Sequence, residues 1–137
     1  MNKQIERTLS IIKPDAVERN LESKIKEIFL KDNLNIIDSK KIKITKEEAE
    51  QFYKVHQSKP FYNDLCTYLS SGPIIVMILE GENVIIKNRE LMGATDPKNA
   101  SKGTIRNLYG ISIDKNSVHG SDSKENAKSE INFFFKS

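Results

Sequence analysis

Ile74-Ile75-Val76-Met77-Ile78-Leu79 is a run of six apolar residues with no polar alternate. A strand with one wet face alternates apolar and polar residues, so an unbroken run of strand length marks a strand covered on both faces. Ser70-Ser71-Gly72-Pro73 forms a turn before it, and Gly81 closes it. The run is far shorter than the roughly 18 residues a membrane span requires. It therefore predicts a central strand, and the other elements are read outward from it.

Upstream, Thr8-Leu9-Ser10-Ile11-Ile12 is a strand stopped by Lys13-Pro14, because proline lacks the N–H a ladder needs. Pro14-Asp15 opens a helix whose Val17, Leu21, Ile25, Ile28 and Phe29 recur at helical period. Asp32-Asn33 breaks it, and residues 34–44 read as a long second strand. Thr45-Lys46-Glu47-Glu48 is a capping box, so a helix begins at Lys46 with Ala49, Phe52, Tyr53 and His56 on one face. Pro60-Phe61-Tyr62 starts a short helix with Leu65 and Leu69 inward.

Downstream, residues 83–92 are helical, with Val84, Ile85 and Leu91 inward. Residues 93–103 hold two glycines, a proline and several small polar residues, the composition of an ordered loop or binding lid. Thr104-Ile105-Arg106-Asn107-Leu108 is a helical turn, and residues 110–117 are irregular. Asp122-Ser123-Lys124-Glu125 is a second capping box, before a helix with Ala127, Ile131 and Phe134 inward. With a last short strand, the order is βαββαβ. That predicts one α+β domain over residues 1–137, a ferredoxin-like sandwich with helices on one face of an antiparallel sheet.

Composition narrows the function classes. Among 137 residues, 37% are hydrophobic and 30% charged, and a mean hydropathy of −0.52 fits a soluble globular chain rather than a disordered one. The polar Met1-Asn2-Lys3-Gln4 start has no signal-peptide pattern, so a cytoplasmic protein with no membrane partner is expected. Cys66 is the only cysteine, which excludes an intramolecular disulfide. Net charge of +3 suits an anionic ligand such as a nucleotide and is too weak for a nucleic-acid stripe.

Two histidines occur, and His119 sits in Asn116-Ser117-Val118-His119-Gly120-Ser121-Asp122. A histidine in a loop is commonly structural. It is also the side chain that keeps a ring nitrogen free to attack at neutral pH, and Gly120 lets backbone approach the ring. Lys13, Arg89 and Arg106 stand at element ends or beside glycine-containing loops, where they converge on phosphate or remain solvated surface charges. Thr95 beside Asp96-Pro97 donates a hydroxyl to phosphate or starts a turn. Phe61 after Pro60 is a stacking platform or a core aromatic, and Tyr53 and His56 pack or line a cleft.

Taken in order, these stretches resemble the nucleoside diphosphate kinase family over nearly the whole chain. The resemblance is carried by Thr8-Leu9-Ser10-Ile11-Ile12-Lys13-Pro14-Asp15-Ala16-Val17, Lys59-Pro60-Phe61-Tyr62, Ser71-Gly72-Pro73, Gly93-Ala94-Thr95-Asp96-Pro97, Gly103-Thr104-Ile105-Arg106 and the His119 stretch. It implies transfer of the γ-phosphoryl group of a nucleoside triphosphate to another nucleoside diphosphate, by a ping-pong route through phosphohistidine. It further implies attack by His119 through Nδ1, with Glu130 orienting the ring. Arg89, Thr95 and Arg106 would hold phosphates with His56 and Tyr53 close by, Lys13 and Asn116 would bind ribose hydroxyls, and Phe61 and Ile113 would sandwich the base. Mg2+ would arrive on the nucleotide phosphates without a direct protein ligand. A homo-oligomer is expected, a hexamer in preference to a tetramer.

Departures are few. Lys59 stands where arginine commonly precedes Pro-Phe, Lys102 precedes Gly103, and the chain stops at Phe133-Phe134-Phe135-Lys136-Ser137 without the longer tail of some members. Two competing readings remain at this level, a non-enzymatic RNA binder and a catalytically silent scaffold. The putative strands lack paired exposed aromatics, so no nucleic acid is expected as a partner.

Overall fold

The computed structural model describes residues 5–113 and 115–135. Met1 to Gln4, Lys136 and Ser137, which carried part of the sequence reading, lie outside the described residues. The chain runs β1 (Ile5–Ile12), α1 (Pro14–Glu18), α2 (Glu22–Lys31), β2 (Asn35–Ile42), α3 (Lys46–Phe52), α4 (Tyr62–Leu69), β3 (Ile74–Glu82), α5 (Val84–Met92), α6 (Ile105–Tyr109), β4 (Val118–Gly120) and α7 (Lys124–Phe134), with short 3-10 turns at Lys54–His56 and Pro97–Asn99. No helix among the described residues is long and apolar enough to cross a membrane.

The four strands form one antiparallel sheet in the order β2-β3-β1-β4. This is the ferredoxin-like arrangement the element order predicts. One expectation is corrected: helices cover both faces of the sheet, not one. Strand alternation sends Ile75, Met77 and Leu79 with Ile12 into a core closed by Ile25 and Phe29 of α2 and by Val84, Ile85 and Met92 of α5. Ile74 and Val76 join Leu9 and Ile11 in a second core closed by Ala49 of α3, Cys66 and Leu69 of α4, and Phe134 of α7. The uninterrupted run 74–79 records this two-sided burial directly.

Local chemistry explains the other differences. The helix expected from Pro14 to Phe29 is broken at Asn20, whose φ of 58° is left-handed, so α1 and α2 are separate. Asn33, φ 64°, ends α2 as predicted from Asp32-Asn33. The Thr45 capping box forms, with Thr45 accepting from the Glu48 N–H and Glu48 accepting from the Thr45 N–H. That helix ends at Phe52, however, so Tyr53 is its C-cap and His56 lies on a 3-10 turn. The last helix is capped one residue later than expected: Ser123, not Asp122, accepts from the Asn126 N–H.

Phe29 is fully buried in the first core, whereas Lys24 of the same helix is exposed. Phe29→Ala is expected to destabilise the fold by about 3–5 kcal/mol, and Lys24→Ala by less than about 0.5 kcal/mol, read from urea unfolding midpoints.

Candidate active site

The three residues of β4 pair with β1 as Val118 with Ile12, His119 with Ile11 and Gly120 with Ser10. Paired residues share a face, so His119 lies on the side of α3 and α7, while Val118 and Gly120 face α5. Gly120 is required on that side, because a Cβ there would stand 2.2 Å from Asn88 Nδ2 and 3.0 Å from Met92 Cε.

His119 is held from two directions. Its Nε2 lies 2.8 Å from Glu130 Oε1, on α7. A carboxylate only accepts, so the neutral ring carries its proton on Nε2 and keeps the Nδ1 lone pair. Phe52 packs edge-on against the ring at a centroid distance of 5.3 Å. Glu130 is fixed in turn by Ser121 Oγ, which donates to Oε1 at 2.9 Å and accepts from the Leu9 N–H at 3.3 Å. Side-chain exposures of 22% for His119 and 20% for Glu130 leave the pair reachable from solvent. The cavity beside them is lined by Lys54, His56, Gly120, Asp122 and Asn126 among others. Asn126 bonds the Asp122 side chain, and this holds the Asp122 carboxyl below its ordinary range.

A second hollow is lined by Arg89, Thr95 and Arg106 among others. Arg106 is buried and bonds two carbonyls, Gly93 O at 3.0 Å through Nη1 and Val118 O at 2.9 Å through Nη2. It thereby ties the loop after α5 to the residue preceding His119. Burial, and then the Arg89 guanidinium, lower its pKa to about 10, so it stays charged at neutral pH. Arg89 also lies within electrostatic reach of the Asp122 carboxylate, which lines the His119 cavity.

The remaining predicted residues fall into two groups. Lys13 and Asn116 are buried and joined, Lys13 Nζ donating to Asn116 Oδ1 at 2.9 Å, and Asn116 Nδ2 donates to Thr95 O at 3.1 Å. His56 bridges two aromatics, with centroids 6.2 Å from buried Tyr53 and 6.1 Å from Phe61. Phe61 and Ile113 are 43% and 55% exposed, and neither lines the His119 cavity. Sequence reasoning did not foresee the bond of Ser121 to Glu130, and read Phe52 only as one of a helical stripe. Their roles come from pairings that local spacing does not reveal, Ser121 with Leu9 and Glu130, and Phe52 with His119.

The comparisons with known proteins agree along the chain. The family model described as "Nucleoside diphosphate kinase" matches residues 6–137. The chain belongs to the nucleoside diphosphate kinase family. The "Nucleoside diphosphate kinase" of Campylobacter concisus is 59% identical over 133 residues, covering 97% of each chain. That of Persephonella marina is 55% identical over 131 residues, 96% of this chain and 94% of its relative. Among solved structures, a crystal form of the Aquifex aeolicus nucleoside diphosphate kinase superposes with a TM-score of 0.95 at 40% identity, covering 97% of this chain and 96% of that one. The apo nucleoside diphosphate kinase of Encephalitozoon cuniculi gives 0.93 at 39% identity, over 96% and 90%.

Removing the Ser121 hydroxyl frees one side of Glu130 and takes the Leu9 N–H's side-chain acceptor. Ser121→Ala is therefore expected to lower stability by about 1–3 kcal/mol, checked by chemical denaturation.

Proposed function

We propose that the chain is a nucleoside diphosphate kinase that moves the γ-phosphoryl group of a nucleoside triphosphate, usually ATP, to another nucleoside diphosphate through phosphohistidine at His119. The observation that carries this reading is the fixed imidazole: Glu130 holds Nε2, which leaves Nδ1 for attack, and Arg106 of the cationic hollow bonds the carbonyl of Val118, the residue before His119.

In the first step the Nδ1 lone pair forms a bond to the γ-phosphorus, and the bond from that phosphorus to the β–γ bridging oxygen breaks. The electron pair leaves on the nucleoside diphosphate. The Nε2 proton stays on the ring and continues to donate to Glu130, whose carboxylate stabilises the positive charge that develops there. In the second step a β-phosphate oxygen of another nucleoside diphosphate attacks the phosphorus and the P–N bond breaks, restoring neutral His119. A histidine intermediate thus divides the exchange into two similar steps.

Transfer of this kind depends on alignment and charge neutralisation more than on covalent help from the protein. Arg89, Arg106 and Thr95, which line one hollow, are assigned to phosphate oxygens, and the paired Tyr53 and His56 are assigned positions close to the phosphates. Lys13 and Asn116, already joined, are assigned to the ribose hydroxyls, and Phe61 and Ile113 to the two faces of the base. Exposed apolar and aromatic surfaces stack on any base without reading its edge, which suits broad nucleotide use. The hollow is lined by two guanidinium groups and a hydroxyl, which suit phosphate oxygens, and by a single carboxylate, Glu90. A hard ion such as Mg2+ would then be held chiefly by the phosphates themselves and would neutralise part of their charge.

His119→Ala is expected to abolish exchange between ATP and a second diphosphate while the circular dichroism of the fold is retained; full turnover would overturn the assignment. Glu130→Gln keeps the shape but loses the carboxylate, and its turnover is expected to fall by about tenfold to a hundredfold. Incubation of the parent chain with Mg-ATP alone is expected to yield an acid-labile, alkali-stable phosphoprotein.

The same reading makes the chain a cytoplasmic homo-oligomer, a hexamer in preference to a tetramer. The exposed Leu30, Ile37, Leu108 and Ile111 supply apolar surface for subunit contacts. Light scattering on the purified protein is expected to return the mass of six chains, and the mass of one chain would refute it.

A further inference from the structure

Asp15, at the start of α1, is a buried carboxylate to which the phosphoryl-transfer reading gives no role. Its side chain is 3% exposed. Oδ2 accepts from Arg19 Nη2 at 3.0 Å and from Ser117 Oγ at 3.0 Å, and Oδ1 accepts from the Tyr68 hydroxyl. The Tyr68 hydroxyl accepts in return from the Asp15 N–H at 2.9 Å, and burial keeps it protonated and able to donate. Arg19 is itself anchored, Nη2 donating to Tyr109 O at 2.6 Å. Asp15 therefore gathers α1, α4 and the end of α6 around one residue of another segment, Ser117.

Ser117 is strained. Its φ is 75°, it is fully buried, and the Val118 N–H donates across it to Asn116 O at 2.9 Å. An i to i+2 bond around a positive φ is the rare, strained kind of γ-turn. The other non-glycine residues with positive φ among the described residues are Asn20, Asn33 and Asn83, a residue type that tolerates that region. Serine has no such tolerance, and strain of this kind persists only where the surroundings over-determine it. The backbone on either side is pinned by Lys13, whose N–H donates to Ser117 O at 2.8 Å and whose Nζ reaches Asn116 Oδ1. The Ser117 side chain is held by Asp15, with Arg19 Nη2 a longer 3.4 Å away.

The turn lies between Asn116, on the nucleotide side of the site, and His119, two residues beyond it on β4. We propose that Asp15 is a positioning residue for phosphoryl transfer: by holding Ser117 in the γ-turn it sets the spacing between Asn116 and His119. The proposal rests on His119 being the nucleophile. If the turn relaxes, the nucleotide and Nδ1 lose their mutual alignment, and transfer rates fall steeply with misalignment on the ångström scale.

The test is the single-turnover rate of His119 phosphorylation in the full chain at saturating Mg-ATP, followed by acid-labile phosphate, together with urea midpoints. Asp15→Ala and Ser117→Ala are each expected to slow phosphorylation by about tenfold to a hundredfold. The double variant is expected to be no slower than the slower single one, because both substitutions remove the same bond. Tyr68→Phe removes a partner of the other carboxylate oxygen and spares Ser117, so it is expected to lower the midpoint and leave the rate unchanged. Asp15→Ala phosphorylating at the parent rate, or fully additive losses in the double variant, would overturn the proposal. Should Asp15→Ala not fold, Ser117→Ala decides alone, since it deletes one hydroxyl, and a parent rate in that variant is equally fatal. Failure of the His119 assignment is distinguishable, because the parent chain itself would then form no phosphohistidine.

Discussion

The pairing of His119 with Ile11 is the constraint on which the site depends. β4 is only three residues long, and alone it has no means of fixing a side chain. It takes its orientation from β1, which is ordered by β3 on its other edge and by apolar cores on both faces. Because side chains alternate, this one register decides that His119 points toward α3 and α7, and that Gly120 points toward Asn88. A slip of one residue would exchange those faces, burying the imidazole against α5 and losing Glu130 altogether.

Around that strand, charge is arranged asymmetrically. On one side a carboxylate, Glu130, fixes the ring and is itself fixed by Ser121. On the other, burial and then the nearby Arg89 guanidinium disfavour the charge of Arg106. Under the proposed function, that unfavourable contribution is offset once phosphate oxygens enter. Arg106 also bonds Val118 O, so the cation proposed to neutralise phosphate is mechanically tied to the strand that carries the proposed nucleophile.

What could be read from sequence follows from how local each signal is. The 74–79 run announced a strand buried on both faces, and the Thr45 box announced its helix, because each depends on neighbours in the chain. The one-faced sandwich failed since element order alone does not say which side of the sheet each helix takes. Asn20 broke a helix that apolar periodicity had continued, because a left-handed asparagine leaves the stripe of Val17, Leu21 and Ile25 intact. In the site, His119 and the cations were candidates from residue type and position and, with Glu130, took their roles from a resemblance to a family. The bonds of Ser121 to Leu9 and of Asp15 to Ser117 were not foreseen. Both are small polar residues near helix starts, and those partners lie far away in sequence.

The distribution of unmatched polar atoms supports the view that stability is conceded near β4. Thr8 Oγ1, Ser10 Oγ, both polar atoms of the Asn88 side chain, His56 Nδ1 and Arg106 Nε are buried without a protein partner. Each such atom costs on the order of 1–3 kcal/mol if nothing satisfies it. Ser10 pairs with Gly120, Asn88 packs on Gly120, His56 lines the His119 cavity, and Arg106 bonds Val118 O. The two apolar cores, which include Ile11, Ile12 and Val118 beside these atoms, offset that cost. An imidazole that must stay oriented, desolvated on one side and open on the other requires polar neighbours that the sheet would otherwise exclude. The strained turn at Ser117 belongs to the same pattern, a local cost tolerated where alignment of the reacting groups depends on it.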